Sequence, residues 1–150
     1  ESQSSQLPYI KVGTMSKWTH CGVIVHTPEG LKVLEASKTV RLTPFSSFIG
    51  AAKNANWTVK RPAQKLQKSI KYSMYLGMPY DLEFKFDNGK IYCSELVWLI
   101  YKDQGIELCE PRKVSSFTFT RIPKVRKLMD KRGISMDQYA VAPVDLYKAI

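Results

Sequence analysis

Residues Trp18 to His26 alternate in character and are rich in β-branched side chains (Thr19, Val23, Ile24, Val25), the pattern of a strand. Thr27-Pro28-Glu29-Gly30 then reads as a turn, because proline presets φ and glycine accepts the positive φ that closes it. Leu31 to Ala36 returns as a second strand, so the segment predicts a β-hairpin. Ala55 to Lys60 is expected to be a further strand, ended by Pro62. Ala63 to Leu76 has apolar or small residues at helical spacing (Leu66, Ile70, Ser73, Met74) and predicts a helix stopped by Gly77. Pro79 to Gly89 reads as loop, with Asn88-Gly89 as a turn. Cys93 to Tyr101 carries Leu96, Val97, Leu99 and Ile100 and predicts a buried helix, with Gly105 ending it shortly after. Ser115 to Arg121 sets Phe117, Phe119 and Arg121 against hydroxyl residues, as a strand would. Pro123 to Lys131 predicts a basic helix closed by Gly133, Tyr139 to Val141 a short strand, and Pro143 a last helical turn. A hairpin followed by a mixture of helices and strands, with no repeat and no linker, predicts one α+β domain over residues 1–150.

The hairpin brings two polar residues together. Closed without a bulge over Thr27 to Gly30, it pairs His26 with Leu31, Ile24 with Val33, Gly22 with Glu35 and His20 with Ser37. His20 and Glu35 are then diagonal neighbours on one face, about 7–8 Å apart at the backbone. Gly22 leaves room between them for an imidazole and a carboxylate to meet, an arrangement that orients the ring and favours its charged form. Read alone, His20 fits a strand-end histidine bonded to a carbonyl equally well, and Glu35 a solvated charge. His26, beside the turn, reads as ordinary surface.

Cys93 stands where the loop ends and the apolar helix begins. Unpaired N–H groups and the dipole at a helix N-terminus stabilise a thiolate, and the Cys93 N–H would face an oxyanion on an attacked carbonyl. Position alone also fits a small buried apolar residue. Cys21 alternates with His20 and is expected on the opposite, core-facing side, while Cys109 has nothing beside it to activate it. Three cysteines without a C-x-x-C exclude a disulfide scaffold and argue against structural zinc. A metal site built from His20, Glu35 and Cys93 lacks paired ligand spacing. No G-x-S-x-G, P-loop or dinucleotide fingerprint occurs, and no cofactor is expected.

Charge adds a partner class. The 23 basic and 13 acidic residues leave a formal charge of +10, which favours an anionic surface or polymer such as a membrane or cell wall. The basic residues lie along the expected helices (Lys65, Lys68, Lys71; Lys124, Arg126, Lys127, Lys131), without an arginine-rich arm or zinc-finger spacing, so no specific nucleic acid is expected. The first residues do not form a signal peptide, and no apolar run approaches the ~20 residues of a membrane span. Free thiols suit a reducing cytoplasm and an exported catalytic cysteine alike. A basic, non-enzymatic binding domain with an inert Cys93 is the alternative to an enzyme.

Three segments occur in order: Trp18-Thr19-His20-Cys21-Gly22-Val23-Ile24-Val25, Val33-Leu34-Glu35-Ala36, and Gly77-Met78-Pro79-Tyr80-Asp81 running on to Tyr92-Cys93-Ser94-Glu95-Leu96-Val97. Together they resemble the circularly permuted NlpC-type papain-like enzymes of the YiiX/YebB-like branch, in which the histidine strand precedes the cysteine helix. The likeness spans His20 to about Tyr101, with a weaker echo at Ala142 to Leu146. It implies Cys93 as nucleophile, His20 as general base, Glu35 as orienting residue, and Tyr80 lining the site and assisting the oxyanion. It also implies a Gly-Asp-hydrophobic strand before the histidine segment, which this chain starts without. The reaction implied is hydrolysis or acyl transfer at an amide or ester, on a small-molecule, peptide or lipid-linked substrate.

Overall fold

The expected hairpin forms in the expected register from Val23 on, while Trp18 to Gly22, expected in the first strand, lie ahead of the ladder. A computed structural model describes residues 17–66 and 69–150. Strand β1 (Val23–Thr27) runs antiparallel to β2 (Gly30–Ala36), with Ile24 opposite Val33 and His26 opposite Leu31. Gly30 takes φ 111°, and the Thr27 hydroxyl donates to its carbonyl at 2.9 Å, so Pro28 and Glu29 alone make the turn. A third strand, β3 (Val40–Pro44), follows after Ser37 and Lys38 and sets Arg41 opposite Glu35 and Leu42 opposite Leu34. Sequence reading passed over β3, although Val40, Leu42 and Pro44 alternate with Arg41 and Thr43. Helix α1 (Phe45–Gly50), also unforeseen, packs on β2 and β3.

Helix α2 (Cys93–Lys102) begins where expected and lies against β2. Its start is held by a carboxylate at the third position: the Tyr92 N–H donates to Glu95 Oε2 at 3.3 Å. Val23, Val25, Leu34, Ala36 and Val40 from the sheet meet Leu96, Val97, Trp98 and Ile100 from α2 in the main core. A second cluster gathers Val114, Phe117, Val125, Met129, Ile134 and Ala140. It is built from β4 (Arg112–Lys113), helix α3 (Pro123–Lys131), β5 (Tyr139–Ala140) and α4 (Pro143–Ala149). The α2 start ties the two clusters together. The Ser94 hydroxyl donates to the Val141 carbonyl at 2.6 Å, and the Val141 N–H donates to the Tyr92 hydroxyl at 3.2 Å.

Three expected elements do not form. Ala55 to Lys60 is irregular, because Asn54 and Ala55 take φ of 58° and 52° and break the extended path just before it. Ala63 to Leu76, of which residues 67 and 68 lie outside the described ones, is irregular and ends in a turn. There Tyr75 is buried and donates to Asp103 Oδ2 at 2.6 Å, so tertiary contacts override helical spacing. Ser115 to Arg121 forms two 3₁₀ turns, Val114–Ser116 and Thr118–Arg121. The Ser116 and Thr120 hydroxyls donate back to the carbonyls of Lys113 and Phe117 at 2.6 and 2.9 Å, which favours turning over ladder formation.

Candidate active site

Two strands, β2 and β3, and the segment just ahead of β1 assemble one polar cluster. Glu35 is 4% exposed, and each of its oxygens is occupied. Oε2 meets His20 Nε2 at 2.6 Å, while Oε1 accepts from the Thr43 hydroxyl at 2.5 Å and from Arg41 Nε at 3.2 Å. Period two explains the set: Arg41 stands opposite Glu35, and Thr43 is its diagonal neighbour on the same face. Burial pushes the Glu35 carboxyl up, but the bonds from His20 and Thr43, with the charges of His20 and Arg41, outweigh it and hold it at about 2.

Gly22 makes this contact possible. A Cβ there would meet Val33 Cγ1 at 2.6 Å and the Leu34 carbonyl at 2.7 Å, and would press on Glu35 Cβ at 3.4 Å. Phe48 of α1 lies beside His20 with ring centroids 5.6 Å apart and the rings tilted by 35°.

Cys93, 3% exposed, sits at the first position of α2. His20, whose Nε2 is held by Glu35, also has a side-chain hydrogen-bonding interaction with Cys93. Burial lowers the His20 pKa, yet the bonds to Cys93 and Glu35 raise it to about 9. Cys93 is shifted the other way. The hydrogen bond from the Cys21 thiol, followed by the bond and charge of His20, overcomes burial and holds its thiol well below the ordinary value. The two shifts run in opposite directions, and together they favour a thiolate beside an imidazolium.

Tyr80 reaches the same sulfur. The chain from Gly77 to Tyr80 runs beside β3: the Val40 N–H donates to the Met78 carbonyl at 2.9 Å, and the Tyr80 N–H to the Lys38 carbonyl at 3.0 Å. Tyr80 also bridges to Ile91, two residues before Cys93. Burial, the Cys93 charge and a hydrogen bond to Cys93 keep the phenol protonated, and its oxygen accepts the Cys93 N–H. Asp81, wholly buried, pins the following loop by accepting from the Glu83 and Lys85 N–H groups at 2.9 and 2.7 Å and from Asn88 at 3.0 Å.

Cys21 corrects an expectation. Alternation placed it on the core side, away from His20; it does pack against the main core, but its side chain and its backbone N–H both bond to Cys93. The paired part of β1 starts at Val23, so strict alternation does not govern residues 20–22. His26 is exposed, as expected. Cys109 stays apart, its thiol raised to about 11 by burial and the nearby Asp145 and Glu107. Arg41, Thr43 and Phe48 were missed because β3 and α1 were missed.

A cavity of about 110 Å³ opens against Cys93. Its walls are largely apolar, with Tyr80, Phe84, Tyr92, Phe117 and Met129 among them and Arg132 as the one basic side chain among the described residues.

Relatives share this arrangement of the chain. The sequence matches over residues 1–149 the family described as "Permuted papain-like amidase enzyme, YaeF/YiiX, C92 family". It is 30% identical over 159 residues to the uncharacterized protein YiiX of Escherichia coli (strain K12), an alignment covering 99% of this chain and 78% of the relative. A crystal structure described as the metalloprotein YiiX from Escherichia coli O157:H7 superposes with a TM-score of 0.82 at 27% identity, covering 97% of this chain and 86% of that one. With the histidine segment ahead of the cysteine helix in an α+β frame, the chain belongs to the permuted papain-like amidases of the YaeF/YiiX family.

Proposed function

We propose that the protein is a cysteine hydrolase that cleaves an amide or ester bond through a thioester on Cys93. The observation that carries this reading is the connected row Glu35–His20–Cys93, with the carboxylate 2.6 Å from the imidazole and the sulfur at a helix N-terminus. In such a row the base is oriented from behind and the nucleophile is already ionised.

The Cys93 thiolate attacks the carbonyl carbon. The developing oxyanion takes the Cys93 N–H from the Tyr80 oxygen and accepts the phenol O–H as well. The His20 imidazolium protonates the departing amine or alcohol, leaving a neutral ring that Glu35 holds in place. That ring then deprotonates a water, which attacks the thioester and releases the acid. An acyl acceptor other than water in the last step would make the reaction a transfer.

The apolar cavity beside Cys93 favours an apolar acyl group over a polar cell-wall peptide. Helix α3 supports the same choice: Val125 and Met129 face the cavity, while Lys124, Arg126, Lys127 and Lys131 are exposed and suit an anionic surface that presents a lipid-linked substrate. The Escherichia coli YiiX structure is described as that of a metalloprotein, which bears on whether this chain could hold a metal ion. Among the described residues no group of three or more His, Cys, Asp or Glu side chains is gathered to hold one, and Glu35 is already occupied by His20, Arg41 and Thr43.

The test is alkylation by iodoacetamide at about pH 6, mapped by mass spectrometry, together with turnover of p-nitrophenyl esters of graded acyl length. Cys93 is expected to be labelled before Cys21 and Cys109, and His20→Ala to abolish that preference. Ester turnover is expected to vanish in Cys93→Ala and to rise with acyl length until the cavity is filled. Equal labelling of the three cysteines would overturn the reading.

A further inference from the structure

Cys21 has no role in the mechanism above, yet it is the neighbour that most affects the Cys93 sulfur. Its thiol hydrogen-bonds to that sulfur, and its backbone N–H points at the same atom, so the two residues approach through side chain and main chain together. Both are free thiols. Cys21 stands ahead of the paired part of β1, which begins at Val23, so a small shift of the chain there breaks no rung of the ladder. The cavity against Cys93, at about 110 Å³, exceeds several-fold the ~10–15 Å³ that a single water needs, so a molecule the size of hydrogen peroxide fits there.

We propose that Cys21 is a resolving cysteine: peroxide oxidises Cys93, and Cys21 captures the product as a reversible Cys21–Cys93 disulfide that switches the enzyme off and shields its nucleophile. In the first step the Cys93 thiolate attacks one peroxide oxygen. An S–O bond forms, the O–O bond breaks, and the departing hydroxide takes the His20 proton and leaves as water. In the second step the Cys21 sulfur attacks the sulfenic sulfur. The S–S bond forms, the S–O bond breaks, and the Cys21 proton leaves with the hydroxyl as a second water. Two thiols are oxidised and one peroxide is reduced to two waters. A dithiol reductant reverses the sequence by exchange.

The arrangement has the features such chemistry requires. The surroundings of the attacking Cys93 favour its thiolate, while the neighbouring Cys93 and burial favour the protonated thiol at Cys21. Without a second thiol, a sulfenic acid goes on to sulfinic and sulfonic acids, which simple thiols do not reverse. Cys109 lies outside the cluster and serves as the internal control.

The experiment treats intact protein with hydrogen peroxide, then maps the cysteines by non-reducing peptide mass spectrometry before and after dithiothreitol. Expected are a Cys21–Cys93 cross-linked peptide in the wild type and in Cys109→Ser, and full return of the Cys93 thiol on reduction. In Cys21→Ser, Cys93 is expected to pass to sulfinic and sulfonic acid, with its thiol lost for good. Two results would overturn the proposal: wild-type Cys93 overoxidised without any cross-link, or cross-links joining Cys109 as often as Cys21. The proposal takes a reactive Cys93 from the preceding section, but the readout needs no substrate. A cross-link formed in a protein that turns over no ester would sink the hydrolase reading and, with it, the switching role, while the Cys21–Cys93 disulfide itself would stand.

Discussion

At the scale of the residue, Glu35 and His20 divide the work of preparing Cys93, and their substitutions are expected to differ. Glu35→Gln keeps the shape but removes the charge that His20 faces. Hydrogen bonds to charged groups contribute about 1.5–3 kcal/mol, so kcat/KM is expected to fall roughly 10- to 100-fold. The same variant should lower the alkaline limit of activity, because the His20 imidazolium would then lose its proton below its present value of about 9. His20→Ala removes the general acid and base, and a fall of about 10²–10⁴-fold is expected. A pH profile of kcat/KM separates the two: Glu35→Gln moves the limb, whereas His20→Ala abolishes it. An unmoved alkaline limb in Glu35→Gln would show that the carboxylate does not act through His20. Glu35 was legible because a two-residue turn determines register and so which β2 side chains share a face, and His20 meets it from just ahead of the ladder across Gly22. Cys21 packs against the core as alternation implied, but its contact with Cys93, two residues ahead of the point where pairing begins, was not readable from that rule.

At the scale of the element, the close approach of β1 to β2 rests on Gly22. Gly22→Ala drives a methyl into Val33 Cγ1 and the Leu34 carbonyl, and the carbonyl belongs to the ladder and cannot rotate aside. Overpacking of this kind costs about 1–3 kcal/mol, which a shift in the urea midpoint at unchanged slope would register. The displaced strand also carries His20, so selective Cys93 labelling is expected to weaken in parallel. Helix α3 carries a different expectation. Replacing Lys124, Arg126, Lys127 and Lys131 with Gln is expected to abolish co-sedimentation with vesicles containing phosphatidylserine, while turnover of a soluble ester stays unchanged. Binding that persists in the variant, or is insensitive to salt, would remove α3 as the contact. Helix α3 and its glycine stop were readable from sequence because Pro123, the apolar spacing and Gly133 all act locally. The helix expected at 63–76 failed for the complementary reason: Tyr75 is drawn to Asp103, a partner 28 residues away.

At the scale of the whole molecule, one buried acid links folding to pH. Glu95 lies under the start of α2, 2% exposed. Burial, with the negative charges of Asp81 and Asp87, lifts its pKa from 4.5 to about 8 against the bond from the Tyr92 N–H. Between those values the folded chain holds a proton that the unfolded chain has released, so this group's contribution to stability falls as pH rises through the window. Glu95→Gln keeps the cap and removes the titration. The stability difference between variant and wild type is therefore expected to grow from pH 5 to pH 8, measured by urea unfolding at both. A difference independent of pH would mean that Glu95 is ionised in the native protein.

The boundary between what the chain and the fold decide follows the range of the interactions. Hairpin register, the cysteine at a helix start, the basic helix and the order of histidine before cysteine were all determined by sequence. Each depends on turn residues, capping and periodicity acting over a few positions. Tertiary structure alone decided that the Gly77–Tyr80 segment lies beside β3 and carries Tyr80 to the Cys93 sulfur. It alone set the α3 cluster against α2 to leave an apolar cavity, and brought Cys21 to the nucleophile. Those outcomes come from packing surfaces distant in the chain, and no local pattern records which surface will be covered by which.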